Sequence, residues 1–199
     1  MKRMEGLKRR LKGNERFYAD YCAFMSDVIH KGYAERVPQK DQSKEIGVWY
    51  IPHHGVYHHQ KTEQLRVVLD CAATYRGISL NDILLQGPDL TNPLVDVIQR
   101  FRHGSNAFMA DIKSMFYQVK APLRDRDYLR FLWWPKGDLN KDPEEYRMTV
   151  HPFGAKSSPS CANYALRKTV MDHGKDYSAE AQNTVMSNFY VDDCLKSVD

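Results

Sequence analysis

The chain has 199 residues, of which 42% are hydrophobic, 27% charged and 12% aromatic, a globular balance that excludes wholesale disorder, collagen-like repeats and coiled coils. Folding at this length can bury roughly 70% of the surface an unfolded chain exposes, and with a mean hydropathy of −0.62 no apolar run approaches the roughly 18 residues of a membrane span. The net charge of +4 is local, because residues 1–16 carry seven basic and two acidic side chains while the remainder holds 22 basic against 23 acidic.

That basic leader either touches nucleic acid or is the solvated start of a helix. It has no Ser or Thr and contains Glu5 and Glu15, unlike a mitochondrial presequence, and no apolar h-region follows, so secretion is not expected. Leu7, Leu11, Phe17, Tyr21, Phe24, Val28 and Ile29 recur at helical spacing and predict one helix over 1–35, ended by Gly32 with Pro38 beyond. Residues 38–46 read as a loop. Val48–Ile51 and Leu65–Leu69 read as strands, and 76–93, with Gly77, Gly87, Pro88 and Pro93, as mainly loop. Leu94–Phe101 suits a helix and Ala107–Asp111 a compact apolar strand. Residues 116–121, 127–134 and 147–150 read as further strands, and 137–145 as a polar turn. Ser158–Met171 reads as a helix with Pro159 early, where its missing N–H costs nothing. A polar stretch at 172–182 precedes two short strands, 189–191 and 194–198. This order has no βαβα rhythm and predicts an α+β fold. Cys22, Cys71, Cys161 and Cys194 form no CxxC pair, which fits a reducing compartment better than a disulfide framework or a zinc ribbon.

The chemistry concentrates near the end of the chain. Asp192-Asp193 sits between two apolar strand pieces and predicts a hairpin with both carboxylates at its tip. Adjacent like charges are costly in a partly buried place unless a cation joins them; a solvated turn is the plainer alternative. Asp111 ends an apolar strand, where a buried carboxylate would need a partner or a metal; capping of the turn at 112–114 is its alternative. If the two elements are neighbours, three carboxylates converge as hard oxygen ligands for Mg²⁺. Between them, 151–160 combines Gly154, Lys156, two serines and Pro159. Such a turn suits close approach to a base or sugar, or simple entry into a helix.

The order Asp111, Phe153-Gly154…Ser158-Pro159, Tyr190-Val191-Asp192-Asp193 resembles a reverse transcriptase, with its first aspartate motif, positioning loop and YxDD box. More narrowly, the stretches 50–58, 65–71, 84–92, 130–134 and 188–193 resemble the polyprotein of BEL/Pao-type LTR retrotransposons. The resemblance runs over nearly the whole chain. It implies the fingers and palm of a right-hand polymerase, with an antiparallel palm sheet backed by helices and no thumb. Residues 1–86 and 119–157 would be fingers (1–45 a helical N-terminal segment), and 87–118 and 158–199 palm.

The implied activity is RNA-directed DNA synthesis, in which a primer 3′-OH attacks a dNTP on an RNA or DNA template. Asp111, Asp192 and Asp193, with the Ile112 carbonyl, would hold two Mg²⁺, or Mn²⁺. Ser114 and Met115 would offer backbone N–H groups to the triphosphate, and Phe116 would be the steric gate against a ribose 2′-OH. Arg66 would donate to the triphosphate, with Lys61 the nearest candidate for the lysine that usually precedes it. Phe153 and Gly154 would border the nucleotide; Phe153 departs from the Gln usual in retroviral enzymes. Tyr190, Lys156, Ser158 and Pro159 would lie along the template and primer. The implied partners are the template-primer, dNTP and the rest of the polyprotein (thumb, RNase H, integrase). The implied location is intracellular, in a cytoplasmic virus-like particle or the nucleus. The chain ends six residues after Asp193, so a polyprotein fragment or a decayed reading frame is expected, the latter a catalytically inactive remnant that at most binds nucleic acid. An RNA-dependent RNA polymerase shares the palm logic, but Phe116 argues against it.

His53, His54, His58 and His59 read as a polar hairpin face more readily than a metal cluster. Trp133-Trp134 reads as core packing more readily than as a base-stacking platform. No P-loop, nucleophile elbow or HExxH motif is present.

Overall fold

The apolar period across residues 1–35 is cut at Asn14, whose side chain accepts from the Phe17 amide (2.9 Å) and caps a new helix. Two helices result, α1 (Lys2–Gly13) and α2 (Glu15–His30). The computed structural model describes residues 2–43, 46–57 and 65–199. After α2 come β1 (Ala34–Arg36), α3 (Gln39–Gln42), β2 (His53–Tyr57), β3 (Leu65–Leu69), α4 (Leu80–Ile83), α5 (Leu94–Phe101) and β4 (Asn106–Asp111). Then follow β5 (Arg130–Trp133), β6 (Glu144–Met148), α6 (Ser158–His173), α7 (Ala179–Ser187), β7 (Phe189–Tyr190) and β8 (Asp193–Val198). The fold is α+β with antiparallel sheets. The chain forms two units, Met1–Leu84 with Lys120–Ala155, and Leu85–Val119 with Lys156–Asp199. No helix among the described residues is long and apolar enough to cross a membrane.

In the first unit, α2 buries Phe17, Tyr21, Met25 and Val28 at helical spacing. The hairpin β2–β3 and the sheet β1-β6-β5 complete this core. Gly55 lets β2 lie against α2, because a Cβ there would stand 2.8 Å from the Phe17 ring. Residues 48–51 form no strand beyond one bridge, Tyr50 to Arg130; the strand is 53–57 instead. Trp133 and Trp134 are each 2% exposed and pack the core.

His53 is also core, which corrects its reading as part of a polar face. The Tyr21 ring stacks on Trp133 with centroids 5.3 Å apart, and its hydroxyl donates to His53 Nδ1. His53 Nε2 lies 2.8 Å from the Leu132 carbonyl. A carbonyl only accepts, so the proton is on Nε2 and both ring nitrogens are used. His54 is exposed, and His58, His59 and Lys61 lie outside the described residues.

Burial holds the His53 pKa down at about 4, against the upward pull of the Leu132 carbonyl. A histidine with a depressed folded pKa binds its proton more readily when unfolded. Stability is therefore full above the unfolded value of 6.5 and falls as the pH drops toward 4. The expected loss is about 3 kcal/mol, with a steepest slope of about 1.4 kcal/mol per pH unit. Urea unfolding across this window checks it: His53→Gln should flatten the wild-type slope, and an unchanged slope would contradict the assignment.

In the second unit the sheet order is β4-β8-β7. Helices α5 and α7 pack on β7 and β8, and α6 runs beside α7 and the 3₁₀ turn Met115–Gln118. That turn replaces the strand predicted from residue 116. The polar stretch 172–182 contains the start of α7, where the Ser178 side chain accepts from the Ala181 amide.

Candidate active site

Two residues, Val191 and Asp192, join β7 to β8 between the paired Tyr190 and Asp193. Val191 has φ +56° and Asp192 does not have a positive φ, the sign pattern of a type II′ hairpin turn. That first position favours Gly, and a β-branched residue there stores roughly 1–3 kcal/mol of strain. Val191→Gly is expected to raise stability by about 0.5–2 kcal/mol, the strain relieved less the chain entropy glycine adds. Thermal unfolding measures it; a lower midpoint would show the turn to be unstrained.

Pairing of β4 with β8 runs from Asn106↔Val198 to Asp111↔Asp193. Directly opposed residues share a face with Cβ atoms roughly 5 Å apart, and like charges placed so repel. The Ile112 amide donates to the Asp192 carbonyl at 2.9 Å and fastens the end of β4 to the turn. The backbone thus brings residues 111, 192 and 193 to one end of one sheet. Among the described residues no three His, Cys, Asp or Glu side chains are gathered to hold one ion. The arrangement is an opposed pair with a third carboxylate on the adjoining turn, not a closed cage.

The strand carrying Asp111 is not buried, contrary to the sequence-based expectation. All six residues of β4 are exposed, Met109 by 68%, because β4 is a sheet edge and the helices of this unit cover β7 and β8. Ser114 is the N-cap of the Met115–Gln118 turn that follows and makes no side-chain cap bond.

Ser114 is left-handed at φ 53°, ψ 46° and redirects the chain out of the strand, so strained backbone stands at residues 114 and 191. Among the described residues neither the Ser114 nor the Met115 amide donates to a backbone carbonyl, as expected of the first N–H groups of a helical turn. Met115 is buried and Phe116 half-buried beside it.

Three residues missed in the sequence hold the hairpin in place. Asn188, 3% exposed, donates from Nδ2 to the Leu195 carbonyl (2.9 Å) and accepts from its amide (2.9 Å). Asn92 Nδ2 donates to the Met186 and Phe189 carbonyls at 3.1 and 2.9 Å. Arg100 Nε donates to the Ser187 carbonyl at 3.1 Å. Their signal is faint: Asn188 directly precedes the hairpin, but Asn92 and Arg100 are distant in sequence.

Tyr190 and Lys156 are half-buried and Pro159 is exposed in the first turn of α6. Ser158 is 0% exposed, at the start of α6. Arg66, Phe153 and Gly154 belong to the first unit. Arg66 is exposed on β3 opposite Val56, and Phe153 is exposed. Gly154 has φ +101°, and a Cβ there would meet the Leu69 carbonyl at 2.6 Å, so the loop needs glycine to pack on the end of β3.

No family model matches the sequence, and no curated protein matches it. In three dimensions the chain is similar to a foamy viral protease-reverse transcriptase solved in complex with double-stranded DNA. The TM-score is 0.65 at 14% identity, over 94% of this chain and 27% of that one. The fold is reverse-transcriptase-like, and the chain spans about a quarter of that protein.

Proposed function

We propose that the chain is the reverse transcriptase domain of a BEL/Pao-type LTR retrotransposon, an RNA-directed DNA polymerase with the first unit as fingers and the second as palm. The observation that carries this reading is the opposed pair Asp111 and Asp193 beside the strained Val191-Asp192 turn, on a chain of reverse-transcriptase-like fold. The donors suit Mg²⁺, which takes hard oxygen ligands and is usually held by one or two carboxylates plus substrate phosphates, not by an all-protein cage. Asp111 and Asp192 would hold two such ions, with Asp193 and the Ile112 carbonyl alongside. When bound, the ions stabilise the attacking and leaving oxygens of an in-line displacement.

The protein's own part is positioning. Strand pairing fixes the two opposed carboxylates, and the Ile112–Asp192 bond fixes the turn. The Ser114 and Met115 amides would receive the triphosphate, and Phe116 would exclude a 2′-OH. The double-stranded DNA bound by the foamy viral protein supports a duplex partner held through its phosphates, with steep salt dependence.

The test is extension of a labelled primer on RNA and DNA templates. Mg²⁺-dependent addition of dNTPs in preference to ribonucleotides, abolished by EDTA, is the expected result. Equal background with and without Mg²⁺ would contradict the polymerase reading.

A further inference from the structure

The sheet of the second unit has unequal edges. Strand β7 offers two residues, whereas β4 offers six, all exposed and none charged before Asp111. Open edges are usually protected by a lysine, a proline or a bulge. β4 has none of these, and its pairing with β8 is continuous from Asn106 to Asp111. Phe108 is 48% and Met109 68% exposed, on opposite faces of the strand.

The hydrogen bonds identify the open backbone groups. The Ile112 amide donates to the Asp192 carbonyl, and on the other side of β8 the Leu195 amide donates to the Asn188 carbonyl. With Asp111 opposite Asp193 and Phe189 opposite Cys194, both bonds set the same antiparallel alternation. Asn106, Phe108 and Ala110 turn their N–H and C=O toward β8, and Ala107, Met109 and Asp111 turn theirs out of the edge. These three positions are self-complementary. With a second copy antiparallel on β4 and a two-fold axis at Met109, Met109 exchanges both bonds with its counterpart, and Ala107 does so with Asp111 of the other copy. Every open group of the strand is then used. An axis at Phe108 would need Ser105 as a partner and one at Ala110 would need Lys113, both outside the strand. The register also separates the charges, because Asp111 falls opposite Ala107 and not opposite itself. Helices α5 and α7 lie on β7 and β8, away from the axis.

We propose that two copies of the chain associate through β4, forming one antiparallel sheet of order β7-β8-β4-β4-β8-β7 with the two-fold axis at Met109. The free edges of that sheet are the two-residue β7 strands, too short to template a further copy, so the assembly closes as a dimer. Six residues per copy make a contact below the roughly 1,200 Å² of a stable interface, so the dimer depends on concentration. The proposal rests on the strand ladder alone and holds whether or not the chain polymerises nucleotides.

The test is sedimentation equilibrium of the full chain in EDTA, which keeps divalent ions from bridging carboxylates of two copies. The wild type is expected to dimerise reversibly. Met109→Lys and Met109→Glu each set like charges directly opposite across the axis, and each is expected to weaken the dimer about five- to tenfold. An equimolar mixture of the two variants sets Lys against Glu and is expected to recover association close to that of the wild type. Met109 is exposed, so the unfolding midpoints of both variants should match the wild type. A wild-type chain still monomeric at about 100 μM, where contacts of this size associate, would overturn the proposal and leave the edge to a strand of another protein. A dimer indifferent to Met109→Lys, a mixture that does not recover, or growth beyond the dimer would overturn it equally.

Discussion

Asp127→Ala is expected to lower the unfolding free energy by about 3–5 kcal/mol. Arg130 and Arg147 are direct partners across β5 and β6, and like charges so placed repel. Both are buried, Arg130 completely. One oxygen of Asp127 resolves the conflict. Its Oδ1 accepts from Arg130 Nε at 3.1 Å and Nη2 at 3.0 Å, and from Arg147 Nη1 at 2.8 Å. Glu145 takes a further Arg130 donor at 2.9 Å, and Glu35 takes Arg147 Nε at 2.8 Å. Burial works against the charged form of Arg130, yet its bonds to Tyr50 and Asp127 outweigh this and raise its pKa. Removing Asp127 leaves two guanidiniums facing each other out of water. A fall of on the order of 10 °C in Tm should accompany the loss. A change below about 1 kcal/mol, the worth of a surface pair, would show the network to be solvated.

Asp192→Asn is expected to reduce primer extension by about 10²–10³-fold, the usual consequence of removing one preorganised electrostatic group. The substitution keeps shape and removes charge. In the fold Asp192 contributes its backbone carbonyl, bonded to the Ile112 amide, and an amide side chain leaves that bond intact. The Tm should therefore stay close to wild type while extension is lost. A parallel loss of both would assign Asp192 to the architecture of the turn. Unchanged extension with an unchanged Tm would remove it from the chemistry.

The legible parts of the fold were those set by local pattern. Strand β3 and helices α5 and α6 follow their apolar spacing and, for α6, an early Pro159. A hairpin around Asp192-Asp193 was legible from the apolar pieces on either side, but its turn is Val191-Asp192 and not the two carboxylates, because Asp193 pairs with Tyr190 as the first residue of β8. Long-range facts were not legible. Nothing local says that β4 is an uncovered edge, so its apolar residues read as buried. Ser114 entered a left-handed conformation that no propensity assigns to serine, and the strand expected from residue 116 became a turn. His53 sits in a polar-looking run, yet Tyr21 and Leu132 occupy both its nitrogens. The Asp127 network joins Glu35, Asp41, Arg130, Glu145 and Arg147, residues spread over more than a hundred positions, through one strand register.

The most direct measurement of the carboxylate site is Mn²⁺ binding followed by electron paramagnetic resonance, because it reads the metal without requiring turnover. The wild-type chain is predicted to sequester Mn²⁺ and to release it to Mg²⁺, while Asp111→Asn/Asp192→Asn binds neither. A double variant that binds Mn²⁺ as the wild type does, or a wild-type chain that binds none, would contradict the assignment of these residues to a metal-dependent polymerase.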